Sequence, residues 1–412
     1  GDTPACNHPE ALASGRVVIR TYDARNRLKS LLFPDSKGNQ TWYYWPTGAV
    51  QTIVTDNDGP GQGTVTNHYS YNKRGLLTGE SVIQGTWYTW NAGYGYSPNG
   101  HLAAQTYPNG LSVAYAPNAL GQATQAGPYA VGVQYYPNGG IKQFTYGNGI
   151  VHTMTQNARQ LPARSTDSGG GNPLDLAYAY DGNANVAGIT DHTAGGRQSR
   201  SLGYDGLDRL TQASGPSFGT ATYTYDTLDN LKTVGITGGS QSRTYAYVYD
   251  ANHRLTNVTN GVGGATVVGL QYDPQGNLAQ KNAQVYEFDY GNRLRNVPTK
   301  ESYRYDGHGR RVLAWMPGGN ILSQYSQSGQ LLYQDDGRQA KATAYVYLGG
   351  SLVARVVNST TPATPTLTVP GFNTTGSYTV SWNAVAGANG YALQEAVSGG
   401  AWTTVYSGAG TS

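Results

Sequence analysis

The chain has 412 residues, enough for two to four ordinary domains or for one extended repeat architecture. Charged residues make up 12% and aromatics 11%, with a formal net charge of +3; a disordered polyelectrolyte, which needs high net charge and few aromatics, is excluded. The sequence has no run of five Lys or Arg and no stretch of 18 apolar residues, so neither a basic nucleic-acid-binding tail nor a membrane-spanning helix is expected.

Tyr is abundant at 34 and Phe scarce at 5, beside 57 Gly. Half-buried strands suit that bias, because each ring packs on one side while its hydroxyl finds a polar partner. The expected fold class is therefore all-β. The first stretch, GDTPACNHPE, has neither a basic nor an apolar leader region and reads as a cut within a longer protein. Cys6 is the only cysteine, which excludes an internal disulfide framework, and His8 beside it has no further ligands nearby for a metal site.

From Tyr22 onward one phrase recurs. YDARNRL begins at Tyr22, YNKRGLL at Tyr71, YSPNGHL at Tyr96 and YDGNANV at Tyr180. YDGLDRL, YDTLDNL, YDANHRL and YDPQGNL follow at Tyr204, Tyr225, Tyr249 and Tyr272, then FDYGNRL at Phe288, YDGHGRR at Tyr305 and YSQSGQL at Tyr325. With weaker forms there are about sixteen copies, at the spacing of a repeat architecture. Upstream of each copy, alternation places aromatics on one strand face, as in Tyr223/Tyr225 and Tyr245/Tyr247/Tyr249. The Asp of each copy can accept backbone N–H bonds two residues on, and the Gly or Asn that follows tolerates positive φ. The apolar seventh residue returns the chain to the sheet, so each copy reads as a β-hairpin.

The residues expected to build these turns are Tyr22, Asp23 and Leu28; Tyr180 and Asp181; Tyr204, Asp205, Arg209 and Leu210; Tyr225, Asp226 and Leu231. Further along they are Tyr249, Asp250, Arg254 and Leu255; Tyr272, Asp273 and Leu278; and Tyr305 with Asp306. Their role is structural.

This series of Y-D-x-x-x-R/N-L copies over residues 15–357 resembles the YD repeats of the Rhs family, shared with the shell components of insecticidal Tc toxins and with teneurins. The resemblance implies a long ribbon of hairpins coiled into a hollow shell, which in relatives encloses a C-terminal toxin. About 32 strands at ~4.8 Å give a ribbon of ~150 Å, a little more than one turn of a ~40 Å cylinder. A ring or open spiral segment is expected, not a closed capsule. Relatives that release cargo carry a DPxGL-type cleavage junction; Asp273–Pro274 is only superficially similar, so self-cleavage is not expected.

Beyond the repeats, residues 358–371 are rich in Pro, Thr and Ser and read as a linker. Residues 372–412, with Trp382 and Tyr391, resemble the first half of a fibronectin type III sandwich. The strands that would bury Trp382 are missing, so this half-domain is expected to lean on the shell or on another chain.

Catalytic patterns are absent. Glu occurs only at positions 10, 80, 287, 301 and 395, and Asp335–Asp336 reads as a hairpin loop, so the paired acids of a glycosidase are not evident. The seven His form no HExxH, and His101, His253 and His308 fall in repeat turns. Asp56–Asp58 and Asp181–Asn185 place oxygens at alternate positions that calcium could use, but lack an acidic closure, so solvated loops and no cofactor are expected. The leading reading is a non-catalytic packaging segment of a secreted or cell-surface bacterial protein, partnered by a toxin cargo or by the rest of its own polypeptide. An alternative is an adhesin that binds glycans or a partner surface through Tyr and Trp, with Trp42, Trp45, Trp87 and Trp90 exposed. The free strand edges make self-association an expectation as well.

Overall fold

The computed structural model describes residues 15–85, 87–239, 242–359, 365–369, 379–385, 390–396 and 401–411. The N-terminal segment 1–14, with Cys6 and His8, and residues 360–364 and 370–371 of the linker 358–371 lie outside them. Between Ile19 and Ser359 the fold is all-β, with three sheets of nine, fifteen and eight strands. Within each of these sheets every strand pairs antiparallel with its sequence neighbours, so each sheet is a meander.

The hydrophobic alternation gives the strands, and the repeat phrase gives the turns. Tyr225 pairs with Leu231 across a five-residue loop, with a register shift between Thr224 and Tyr225. The same shift recurs at Tyr22, Tyr180, Tyr204, Tyr249, Tyr272 and Tyr305. Repeated bulges of this kind add twist at each hairpin. The meander is interrupted between Ala114 and Ala130, where Pro117 and Pro128 lie among isolated bridges, because proline cannot donate to a ladder.

The third sheet (Glu287–Ser359) lies against the first (Ile19–Ala114). Hydrogen bonds between the two join residues 238 to 267 positions apart. A nearly constant offset means that the second pass runs in the same direction as the first, as in a spiral; a fold-back would make the offset shrink steadily. From the fourth strand (Val50–Gly59) to the twenty-seventh (Glu301–Tyr305) is 23 strands. At ~4.8 Å each, one circuit measures ~110 Å, a diameter of ~35 Å if round.

Burial follows from this overlap. Ile53, Thr55 and Asn57 on one strand, Val65, Asn67 and Tyr69 on the next, and Glu80, Val82 and Gln84 on the third are all buried. The main apolar cluster joins Tyr107, Val113, Tyr115 and Phe144 to Leu332, Ala344, Val346 and Leu348 of the second pass. The fifteen-stranded sheet (Ala130–Val285) is largely half-buried, with Ala213, Ala221 and Ala246 among its buried positions.

In the C-terminal segment, Leu367–Thr368 pairs with Ser381–Trp382, and Tyr391–Glu395 with Thr403–Gly408. Trp382 is 7% exposed and packs on Tyr391 and Tyr406. Two tyrosines of its own segment thus contribute to the cover of Trp382.

Candidate functional site

Two features recur or converge: the repeat turn, and the seam where the second pass meets the first.

In the turn, the Asp226 carboxylate accepts the N–H groups of Leu228 at 2.8 Å and Asn230 at 2.9 Å, and the Asn230 side-chain amide at 3.0 Å. Asp229 sits at φ 65°, a left-handed conformation open to Asp and Asn. Asp181 accepts the same set from Asn183 and Asn185, and Asp273 from Gln275 and Asn277. Where Arg replaces Asn, its Nε donates instead, as in Arg27 to Asp23, Arg209 to Asp205 and Arg254 to Asp250. These donors stabilise the charged carboxylate. Side-chain donation from Arg27 holds Asp23 at about 2, side-chain donors likewise lower Asp181, Asp205 and Asp226, and the Arg254 backbone N–H, with its side chain, lowers Asp250.

The tyrosines tie each repeat to the one before. The Tyr225 hydroxyl donates to the Leu210 carbonyl at 2.8 Å, Tyr249 to Leu231 at 3.0 Å and Tyr272 to Leu255 at 2.7 Å. Tyr204 and Tyr180 donate likewise to Val186 and Pro162. The turn arginine covers the ring of the following tyrosine: Arg27 lies 4.2 Å from the Tyr44 centroid, Arg209 4.9 Å from Tyr225 and Arg254 5.1 Å from Tyr272. Leu28, Leu210, Leu231, Leu255 and Leu278 each begin the return strand. Tyr22, on the first described strand, is exposed. Sequence reasoning missed the tyrosine–carbonyl ladder, although the near-even spacing of Tyr and Leu carried the signal.

The last turns depart from this pattern because they are buried in the seam. Asp306 is fully buried and accepts the N–H groups of His308 and Arg310 at 2.9 Å each. Burial raises Asp306 and lowers His308. The Tyr69 hydroxyl and His308 Nε2 lie 2.7 Å apart, so His308 is an inter-pass contact as well as a turn residue. Asn57, also fully buried, accepts from Tyr305 N at 2.8 Å and Arg295 Nη1 at 2.6 Å, and donates to the Tyr305 carbonyl at 2.9 Å. Gly307 donates to Asn67 at 2.9 Å, and its carbonyl accepts from Gln40 at 3.0 Å. Glu80 accepts from the Tyr94 hydroxyl and, at 2.7 Å, from Gln327 N. Burial pushes Glu80 up to about 7. Its phase with Val82, two residues along the same strand, was the available sign that Glu80 points inward.

These contacts also account for other residues singled out in the sequence. At Asp56–Asp58, Asn57 is committed to the second pass, Asp58 pairs with Arg304 at 2.6 Å, and Asp56 holds Gly61 N and the Thr64 hydroxyl. At Asp181–Asn185, the aspartate is spent on its own turn. Among the described residues, no group of three or more His, Cys, Asp or Glu is placed to hold a metal ion, and no helix is long and apolar enough to cross a membrane. Asp336 pairs with Arg338 at 3.0 Å. Trp42, Trp45 and Trp90 are half-buried, Trp45 donating to the Tyr69 carbonyl and Trp90 packing on Tyr333. Of the four tryptophans expected to be exposed, Trp87 is, at 49%.

Comparison with known proteins places these features. Residues 216–347 match the family model described as Teneurin YD-shell. Among curated proteins no match is found. Of solved structures, TcdB2-TccC3-TEV matches with a TM-score of 0.53 and 15% identity over 89% of this chain and 22% of that one. TcdB2-TccC3 matches with a TM-score of 0.52 and 15% identity over 95% of this chain and 25% of that one. The Photorhabdus luminescens Tc holotoxin pore gives 0.53 and 14% over 95% and 24%. The chain thus spans about a quarter or less of the length of these three structures, and at these identities the likeness is one of fold.

Proposed function

We propose that the chain, whose residues 216–347 match the Teneurin YD-shell model and whose fold is like that of the Tc-toxin shell structures, is a wall segment of a secreted or cell-surface packaging protein and performs no catalysis. The observation that carries this reading is the overlap: a ribbon that meets itself after 23 strands has the closure that a shell wall needs. Dispersal of the acids into turns, each with its own donors, supports a structural role. The domain reading is a shell over 15–357, a linker over 358–371 and a fibronectin type III-like segment over 372–412. The enclosed partner is a toxin-like cargo or another part of the same polypeptide, in keeping with the toxin assemblies that share the fold.

Limited proteolysis of the natural full-length polypeptide tests this. A flanking segment that resists protease when joined to the shell, and is digested when expressed alone, supports enclosure. Equal digestion in both settings overturns it.

A further inference from the structure

Glu80 is 4% exposed on the strand Leu77–Gln84, at the point where the second pass crosses the first. Its carboxyl takes one donor from each side: the Tyr94 hydroxyl from the first pass and the N–H of Gln327, 247 residues later, from the second. The neighbouring strand brings Tyr69 and Tyr71, the latter accepting from the Gln327 side chain at 3.1 Å. The strand Tyr88–Tyr96 adds Tyr96 beside Tyr94. The turn of the second pass brings Asp306, His308 and Arg310. Arg310 directs its guanidinium to the carbonyls of Ser326 and Gln327, so it shapes the turn that presents the Gln327 N–H.

We propose that Glu80 is a proton-operated clasp: in its neutral form it holds the second pass against the first, and in its ionised form it loosens the overlap. The clasp needs only the seam and does not require that the shell enclose anything. A carboxylate removed from water at an interface, with one hydroxyl and one amide as donors, is costly to keep charged. The raised value, about 7 against 4.5, has burial as its first cause. A group raised on folding binds more protons in the closed state, so its contribution is complete below about 4.5, declines as pH rises and is gone above about 7. Asp306, raised by burial, acts in the same direction. His308, lowered by burial, acts in the opposite one: its share is present above 6.5 and is lost as pH falls through its folded value. Burial raises Tyr69, Tyr94 and Tyr96, which stay neutral over this range.

Hydrogen exchange of the full chain from pH 5 to 8.5, corrected for intrinsic rates, reads the clasp at the Gln327 amide and over residues 305–331. Protection should fall on the order of tenfold to a hundredfold across this range, since each unit of differential pKa is a factor of ten. Glu80→Gln, a neutral isostere, should hold protection at neutral and alkaline pH near its acid level. Tyr94→Phe, which removes a donor to the charged form, should move the midpoint to higher pH and is read separately should Glu80→Gln fail to fold. Flat wild-type protection across the range, or a Glu80→Gln or Tyr94→Phe profile that superimposes on the wild type, overturns the proposal.

Discussion

Asp226 and Glu80 are both carboxylates on a tyrosine-rich ribbon, and water separates their behaviour. Asp226 lies at the surface, and its four-residue neighbourhood supplies every donor, so its pKa falls. Glu80 lies between two layers with two donors, and burial outweighs them. A group lowered on folding contributes stability above its unfolded value and loses it as pH falls through its folded one. The turn aspartates should therefore weaken the ribbon together as pH drops from about 4 towards the value of about 2 held by Asp23. Urea midpoints followed by far-UV circular dichroism from pH 6 to pH 2 should show a steep loss below pH 4. A midpoint unchanged down to pH 2 would contradict the assigned donors. Tyr249→Phe leaves the ring in place and removes only the bond to the Leu231 carbonyl. It should cost about 1 kcal/mol, the usual net worth of one such bond, measured by the same denaturation.

At the scale of the hairpin, the repeats are stapled along one margin. Each tyrosine hydroxyl reaches back to the preceding repeat beside the turn, and each turn arginine covers the next ring. A ribbon tied more tightly along one margin, with a bulge at every turn, departs from a flat sheet, and its curvature brings the third sheet back to the first. Glycine matters where the returning hairpin lands. A Cβ on Gly307 would lie 2.5 Å from Ile53 Cγ2, and Ile53 is fully buried. Gly307→Ala should cost about 1–3 kcal/mol through overpacking and increase exchange in the seam while leaving residues 200–260 unchanged. Uniform loss of protection along the chain would mean that the seam is not a separate unit.

For the whole molecule the decisive quantity is the number of strands in a circuit. Repeat proteins tolerate loss of an interior unit when each unit touches only its neighbours. Here the second pass must also find its register on the first. Deletion of Asp205–Tyr225 removes one repeat and joins Tyr204 to Asp226 in phase. The remaining hairpins should keep their β-signature by circular dichroism. The overlap should slip by two strands, separating Asn57 from Tyr305 and Glu80 from Gln327. Loss of hydrogen-exchange protection confined to residues 38–115 and 287–348 is the expected result. An intact seam in the deletion would show that the circuit length is not fixed by strand count.

The sequence by itself determined what is local. Alternating tyrosines set the strands, and an aspartate with donors two and four residues on sets the turn, because all partners lie within one hairpin. The strand number and the all-β ribbon follow from counting the phrase, and a little more than one turn follows from the strand spacing. Which residues meet after the circuit was decided only in three dimensions. Nothing near Asn57 or Gly307 in the sequence marks them as buried, and the phase of Glu80 with Val82 gives its face but not its partner, since the partners stand about 240 to 270 positions away. Trp42, Trp45 and Trp90 look like exposed rings in the linear chain for the same reason. Small twists accumulated over 23 strands bring the second pass over the first, and that long-range contact fixes their burial and the ionisation of Glu80.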